Sequence, residues 1–165
     1  MCGIAGFMGN GKGSLGGLAE IAERMALAIQ HRGPDDSGVW TDESAGIALG
    51  HRRLSILDLS PAGHQPMLSP CGRYVMGVNG EIYNHLTLRR ELEGNHPHPG
   101  PPPSRGRESS LEGEGSLRWR GHSDTETLLA GFAQWGVEQT LRRTVGMFAI
   151  ALWDRRDRVL TLTRD

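Results

Sequence analysis

A cysteine stands second in this chain, in the run Met1-Cys2-Gly3-Ile4-Ala5-Gly6-Phe7. Its small neighbour favours removal of Met1, which would leave Cys2 with a thiol and a free α-amine. The thiol is a nucleophile, and the amine is a base on the same residue. Free groups of these kinds titrate near ~8.5 and ~7.7–8.0, both close to neutral pH. A cysteine activated by a terminal amine is a recognised form of covalent catalysis. A plain strand residue near a chain end fits these seven residues equally well.

Other residues have the right types to serve such a nucleophile. In Asn79-Gly80-Glu81, a side-chain amide and the Gly80 N–H can form paired donors for a developing oxyanion. Glu81 could then receive an ammonium group. Asn-Gly is also the commonest signal of a hairpin turn, so both readings stand. Arg53 opens a segment of extended character, where a guanidinium can clamp a carboxylate with two hydrogen bonds. An arginine beside a strand is otherwise a solvated surface residue. Asp124 falls in the first turn of a helix, where a carboxylate is favourable in any case. Cys71, in Ser69-Pro70-Cys71-Gly72, reads as an incidental thiol in a turn. His96 and His98 have no cysteine near them in sequence to complete a ligand set, so no metal site is expected.

These residues need elements to hold them. Ile4 to Met8 reads as a buried strand that fixes the N-terminus, followed by a turn at Gly9-Asn10-Gly11. Residues 15–31 read as a helix, with Leu18, Ile21, Ala22, Met25 and Ile29 on one face. It runs into the polar loop His31 to Gly38, with Gly33 as its terminator. Residues 39–41 and 45–49 pair as a hairpin, and residues 54–58 alternate like a strand or an extended edge. A strand at 73–78 delivers Asn79-Gly80 as a sharp turn before a short helix from His85 to Glu93. Ser123 and Glu126 have the spacing of a capping box for a helix through Trp135. A short helix at 137–143 and a hairpin of strands at 145–153 and 158–163 follow. Residues 94–121 hold five of the nine prolines. That composition predicts a disordered Gly/Pro-rich insertion.

Composition bounds the function. Lys+Arg 18 against Asp+Glu 19 leaves a net charge of -1. That balance argues against nucleic acid or an anionic membrane as partner. Two cysteines make no disulfide framework, which fits a reducing, cytoplasmic location. No signal-peptide pattern opens the chain, and no apolar run approaches the ~20 residues of a membrane span.

Taken in order, the segments form a specific signature. Cys2-Gly3-Ile4, HRGPDDSG at 31–38, RRLSILD at 52–58, HQPM at 64–67, NGEIYNH at 79–85, HSDTE at 122–126 and GMFAIALWD at 146–154 together resemble the class II glutamine amidotransferase domain. Within that group the pattern is most similar to the N-terminal glutaminase domain of glutamine-hydrolysing asparagine synthetases. The resemblance covers nearly the whole chain, 1–165, apart from the insertion. It implies an α+β fold, the αββα four-layer sandwich of two antiparallel sheets of the N-terminal nucleophile hydrolases.

The resemblance also implies roles. Cys2 would attack the side-chain amide of glutamine, and Asn79 and Gly80 would stabilise the tetrahedral oxyanion. Arg53 would hold the substrate α-carboxylate, with Glu81 and Asp124 around its α-ammonium. Leu54, Ser55, Ile56 and Leu57 would line the pocket. The step needs no cofactor. ATP and Mg would serve a synthetase domain that uses the ammonia. No SGGxDS-type pyrophosphate loop occurs in this sequence, so that domain is expected to be absent, and the sandwich to be truncated at its C-terminus. Expected partners are glutamine and a missing or separate synthetase domain, with a homodimer left open. Two alternatives stand beside this one. One is the glutaminase domain of a sugar-phosphate or phosphoribosyl amidotransferase. The other is an inactive truncated fragment that serves only as an interaction module.

Overall fold

Two antiparallel sheets stack face to face with helices on their outer sides. This is seen in a computed structural model that describes residues 2–9, 17–56, 58–94 and 117–165. The first sheet has the order β1-β3-β2, from strands Gly3–Met8 (β1), Asp36–Asp42 (β2) and Ile47–Arg53 (β3). The second has the order β4-β5-β6-β7, from Met67–Leu68 (β4), Tyr74–Ile82 (β5), Gly146–Asp154 (β6) and Val159–Arg164 (β7). Among the described residues four α-helices complete the fold: α1 at Leu18–Ala28, α2 at His85–Gly94, α3 at Asp124–Trp135 and α4 at Val137–Arg143.

The alternation of β5 explains the layering. Its even residues Tyr74, Met76, Val78 and Ile82 pack with Leu88 of α2 and Leu128, Leu129 and Phe132 of α3. Its odd residues face the first sheet: Val75 packs with Ile47, Leu49 and Trp153, and Gly77 lies beside Ile4 and His51. A strand buried on both faces reads as a near-continuous apolar run, as Tyr74 to Val78 does. On the far side of the first sheet, α1 packs over β1, β2 and β3. The layers are therefore helix, sheet, sheet, helix, which is the α+β sandwich expected.

Local readings differ in four places. The first helix is α-helical only from Leu18 to Ala28, and Gln30–Arg32 tightens into a 3-10 turn. β3 continues to Arg53, and the chain beyond it, where residues 54–58 had suggested a strand, has no regular structure among the described residues. Asn79-Gly80 is not a turn. β5 runs through both residues to Ile82, because β6 pairs with it continuously, Asn79 opposite Ala149 and Gly80 opposite Phe148. The capping box is half formed: Ser123 Oγ accepts the Glu126 N–H at 3.1 Å, but the Glu126 carboxylate turns to the N–H groups of Arg120 and Gly121. Most of the Pro-rich stretch, residues 95–116 with His96 and His98, lies outside the described residues, as do Met1 and Leu57.

Candidate active site

Cys2 is positioned by the ladder between β1 and β3. Gly3 stands opposite Arg52, so Cys2 emerges just beyond the last pair, beside Leu54. The Leu54 N–H points at Cys2 Sγ at 3.4 Å, and the thiol lies 3.7 Å from the Leu54 carbonyl oxygen. Arg32 Nε donates to the Cys2 carbonyl at 3.1 Å. Cys2 is thus held on both sides by backbone and guanidinium groups, and it is half-buried rather than frayed.

Cys2 opens onto a pocket of about 120 Å³ whose walls include Arg53, Leu54, Ile56, Gly80, Glu81 and Asp124. Six of the sequence-predicted residues therefore share one cavity with the thiol. Ser55 is not among the lining residues; its N–H is held by Asp35 Oδ2 at 2.8 Å.

Arg53 is buried, and its guanidinium donates from Nη1 to the Ser60 carbonyl at 3.1 Å and from Nη2 to the Asp58 carbonyl. Two of its five N–H groups are therefore engaged, which leaves enough donors for a bidentate carboxylate. Gly63 permits this arrangement, because a Cβ there would overlap the Arg53 guanidinium. Asp58 fixes the same loop. Its carboxylate accepts from the backbone N–H groups of Ser60 at 2.8 Å and His122 at 3.1 Å. Hydrogen bonding by Ser60 holds its pKa below the ordinary carboxylate value.

Glu81 is exposed at the pocket wall. Asp124 is buried and already hydrogen-bonded: Oδ2 accepts the Ile82 N–H at 2.9 Å and Oδ1 the Thr125 N–H at 2.8 Å. Each carboxylate oxygen keeps a further acceptor site. Asp124 therefore ties α3 to β5 as well as facing the cavity.

Gly80 shows why the position must lack a side chain, since a Cβ would overlap the Met147 carbonyl oxygen of β6. Asn79 is not among the residues lining the pocket. It sits on the face of β5 turned toward the sheet that carries Cys2, and its Oδ1 is buried without a partner among the described residues.

Several supporting residues lay within segments whose individual functions the sequence did not disclose. Arg32 and Asp35 belong to HRGPDDSG and hold Cys2 and Ser55 respectively. Gln65 is buried next to the pocket, and its Oε1 accepts the Val78 N–H at 2.7 Å. His51 is fully buried, with Nε2 2.9 Å from the Val78 carbonyl oxygen, and burial pushes its pKa down to about 4. The available signal was that polar types recur inside otherwise apolar or turn-rich runs.

The glutamine amidotransferase domain family matches residues 1–99 and 108–165. The chain belongs to that family, in its class II branch. Over its whole length it is 34% identical to asparagine synthetase [glutamine-hydrolyzing] 1 of Bacillus subtilis, covering 22% of that protein. It is 38% identical over 176 residues to a Mycobacterium tuberculosis protein that carries a provisional glutamine-hydrolysing asparagine synthetase name, covering 24% of it. The chain thus spans about a quarter of the length of these relatives. A solved structure of glutamine phosphoribosylpyrophosphate amidotransferase from B. subtilis shares the fold. Its TM-score is 0.56 at 18% identity, over 83% of this chain and 33% of that one. Among the described residues, no helix is long and apolar enough to cross a membrane.

Proposed function

We propose that this chain is the glutamine-hydrolysing domain of an asparagine-synthetase-like enzyme. The observation that carries the reading is the meeting of the Cys2 thiol with Arg53, Gly80, Glu81 and Asp124 around one cavity. Its 120 Å³ compares with the ~10–15 Å³ that one water needs. The cavity therefore admits a ligand considerably larger than water.

In the proposed reaction Cys2 Sγ attacks the side-chain amide carbon, and its proton passes to the α-amine exposed by removal of Met1. The C=O π electrons move onto oxygen, where Gly80 N–H and the Asn79 amide stabilise the charge. The C–N bond then breaks, and nitrogen takes the proton from the α-amine and leaves as ammonia. Water adds to the resulting thioester and releases glutamate, which returns the thiol. Arg53 holds the α-carboxylate, Glu81 and Asp124 the α-ammonium, and Leu54 and Ile56 the flank. None of these steps draws on a cofactor.

The ammonia would serve ATP- and Mg-dependent amidation of aspartate in a full-length cytoplasmic enzyme. Similarity to glutamine-hydrolysing asparagine synthetases supports that acceptor. The test is release of glutamate and ammonia from glutamine by the purified protein, with loss of both in Cys2→Ala. Folded protein with a free Cys2 that leaves glutamine intact would sink the reading.

A further inference from the structure

The free edge of β5 is organised around Gly80. β4 reaches only as far as Met76 and Val75, so among the described residues the edge beyond has no strand beside it. Alternation sends the N–H and C=O groups of Val78, Gly80 and Ile82 to this edge. Phe148, opposite Gly80, turns its own N–H and C=O to Asp165 on the β7 side instead. An unpaired edge amide must find a partner or face solvent or ligand.

Side chains take the place of the missing strand on either side of Gly80. The Val78 N–H donates to Gln65 Oε1 at 2.7 Å, and the Val78 carbonyl meets His51 Nε2 at 2.9 Å. The Ile82 N–H donates to Asp124 Oδ2 at 2.9 Å, and the Ile82 carbonyl meets His85 Nδ1 at 2.8 Å. Among the described residues, no partner takes the Gly80 N–H, and Gly80 lines the pocket that holds Cys2. Gln65 also donates from Nε2 to Thr125 Oγ1 at 3.5 Å, and Thr125 Oγ1 lies 3.4 Å from Asp124 Oδ1. The two caps are therefore linked through Thr125.

We propose that Gln65 is a positioning residue for the reaction: by capping the Val78 amide and bracing Thr125, it fixes the Gly80 N–H as the one open donor of this edge. The proposal rests on the glutaminase reading, in which Gly80 N–H faces the oxyanion. A primary amide suits the place because it accepts from a backbone N–H while donating to a hydroxyl. Gln65 is buried, so its contacts are sheltered from water.

The test combines amide hydrogen exchange with glutamine kinetics in the natural full-length protein. In the wild type, Val78 and Ile82 exchange slowly and Gly80 fast. In Gln65→Leu, Val78 loses protection while Ile82 keeps it. The kcat of that variant falls about 10- to 100-fold, as expected when a donor is misplaced by less than an ångström, with KM changed far less. Gln65→Glu keeps an acceptor for Val78 but gives up the donor to Thr125, so Val78 keeps its protection while kcat is restored only in part.

Unchanged Val78 protection or wild-type kcat in Gln65→Leu overturns the proposal, as does loss of Val78 protection in Gln65→Glu. If Gln65→Leu does not fold, the wild-type exchange pattern and Gln65→Glu decide, and a Gly80 amide as protected as Val78 overturns it. Wild-type protein that shows the exchange pattern without hydrolysing glutamine overturns the functional reading and the kinetic half of the proposal together. Wild-type hydrolysis with unaltered Gln65→Leu kinetics overturns the proposal alone.

Discussion

Cys2 Sγ lies 3.4 Å from the backbone nitrogen of Leu54, across a ladder that sets Gly3 opposite Arg52. The contact joins residues 52 positions apart in sequence, and it aims a backbone dipole at the sulfur. Cys2 is thus anchored by the same segment that carries Arg53 into the pocket. A one-residue shift in the β1–β3 register would part the Cys2 thiol from Arg53, because it turns the side chains of one strand to the opposite face of the sheet.

That anchoring predicts selective labelling. A glutamine analogue with an electrophilic carbon in place of the side-chain amide should modify Cys2, and glutamine should protect against it. Cys71 is exposed in its turn, outside the pocket, so a small neutral alkylating agent should label it regardless of glutamine. Peptide mass mapping reads both sites. Equal labelling of the two cysteines by the substrate analogue would show that the pocket does not select for Cys2.

Asn79 and Gly80 are neighbours with opposite expected phenotypes. Asn79→Ala removes an amide whose Oδ1 has no partner among the described residues, so little stability should be lost. Its kcat should fall about 10²–10³-fold through loss of one oxyanion donor. Gly80→Ala forces a Cβ into the Met147 carbonyl and should destabilise by about 2–3 kcal/mol before any kinetic effect is read. Urea melts beside glutaminase assays separate the two cases.

His51 predicts a pH dependence of stability. Its pKa falls from the ordinary 6.5 to about 4 because burial disfavours the imidazolium. Between those values the unfolded chain binds more protons than the folded one. The stabilisation is therefore fully present above pH 6.5 and is lost progressively as pH falls to about 4. At ~1.4 kcal/mol per pH unit the loss amounts to about 3 kcal/mol. Urea midpoints measured across this window should fall in wild type and fall less steeply in His51→Gln. Parallel slopes in the two proteins would exclude His51 as the source.

Glu126 clasps the segment that leads into α3. Its carboxylate accepts the N–H groups of Arg120 at 2.7 Å and Gly121 at 3.0 Å, and it lies 3.5 Å from the Arg89 guanidinium. Arg89 in turn stacks 3.9 Å above the Trp119 ring and donates to the Gly121 carbonyl at 2.9 Å. Glu126→Ala leaves the buried Arg89 guanidinium without a carboxylate and two backbone donors unpaired, and should cost about 3–5 kcal/mol. Thermal and urea unfolding of that variant gives the value directly. A loss below ~1 kcal/mol would mean that water replaces the carboxylate.

The sequence by itself determined the elements and the chemistry they carry. Apolar alternation set the strands, helical spacing set α1 and α3, and Cys2, Arg53, Asn79, Gly80, Glu81 and Asp124 were visible as residue types in a characteristic order. Local pattern failed where pairing decides conformation. Asn79-Gly80 has the composition of a turn, yet β6 holds it extended along the whole of β5. Glu126 has the spacing of a reciprocal cap, yet Arg120 and Gly121 take its carboxylate because the chain folds back over α3. Only the tertiary structure decided which edge amide stays open. Gln65, His51 and Asp124 converge on β5 from separate segments, and hydrogen bonding across that edge is a property of the assembled sheets rather than of any stretch of sequence.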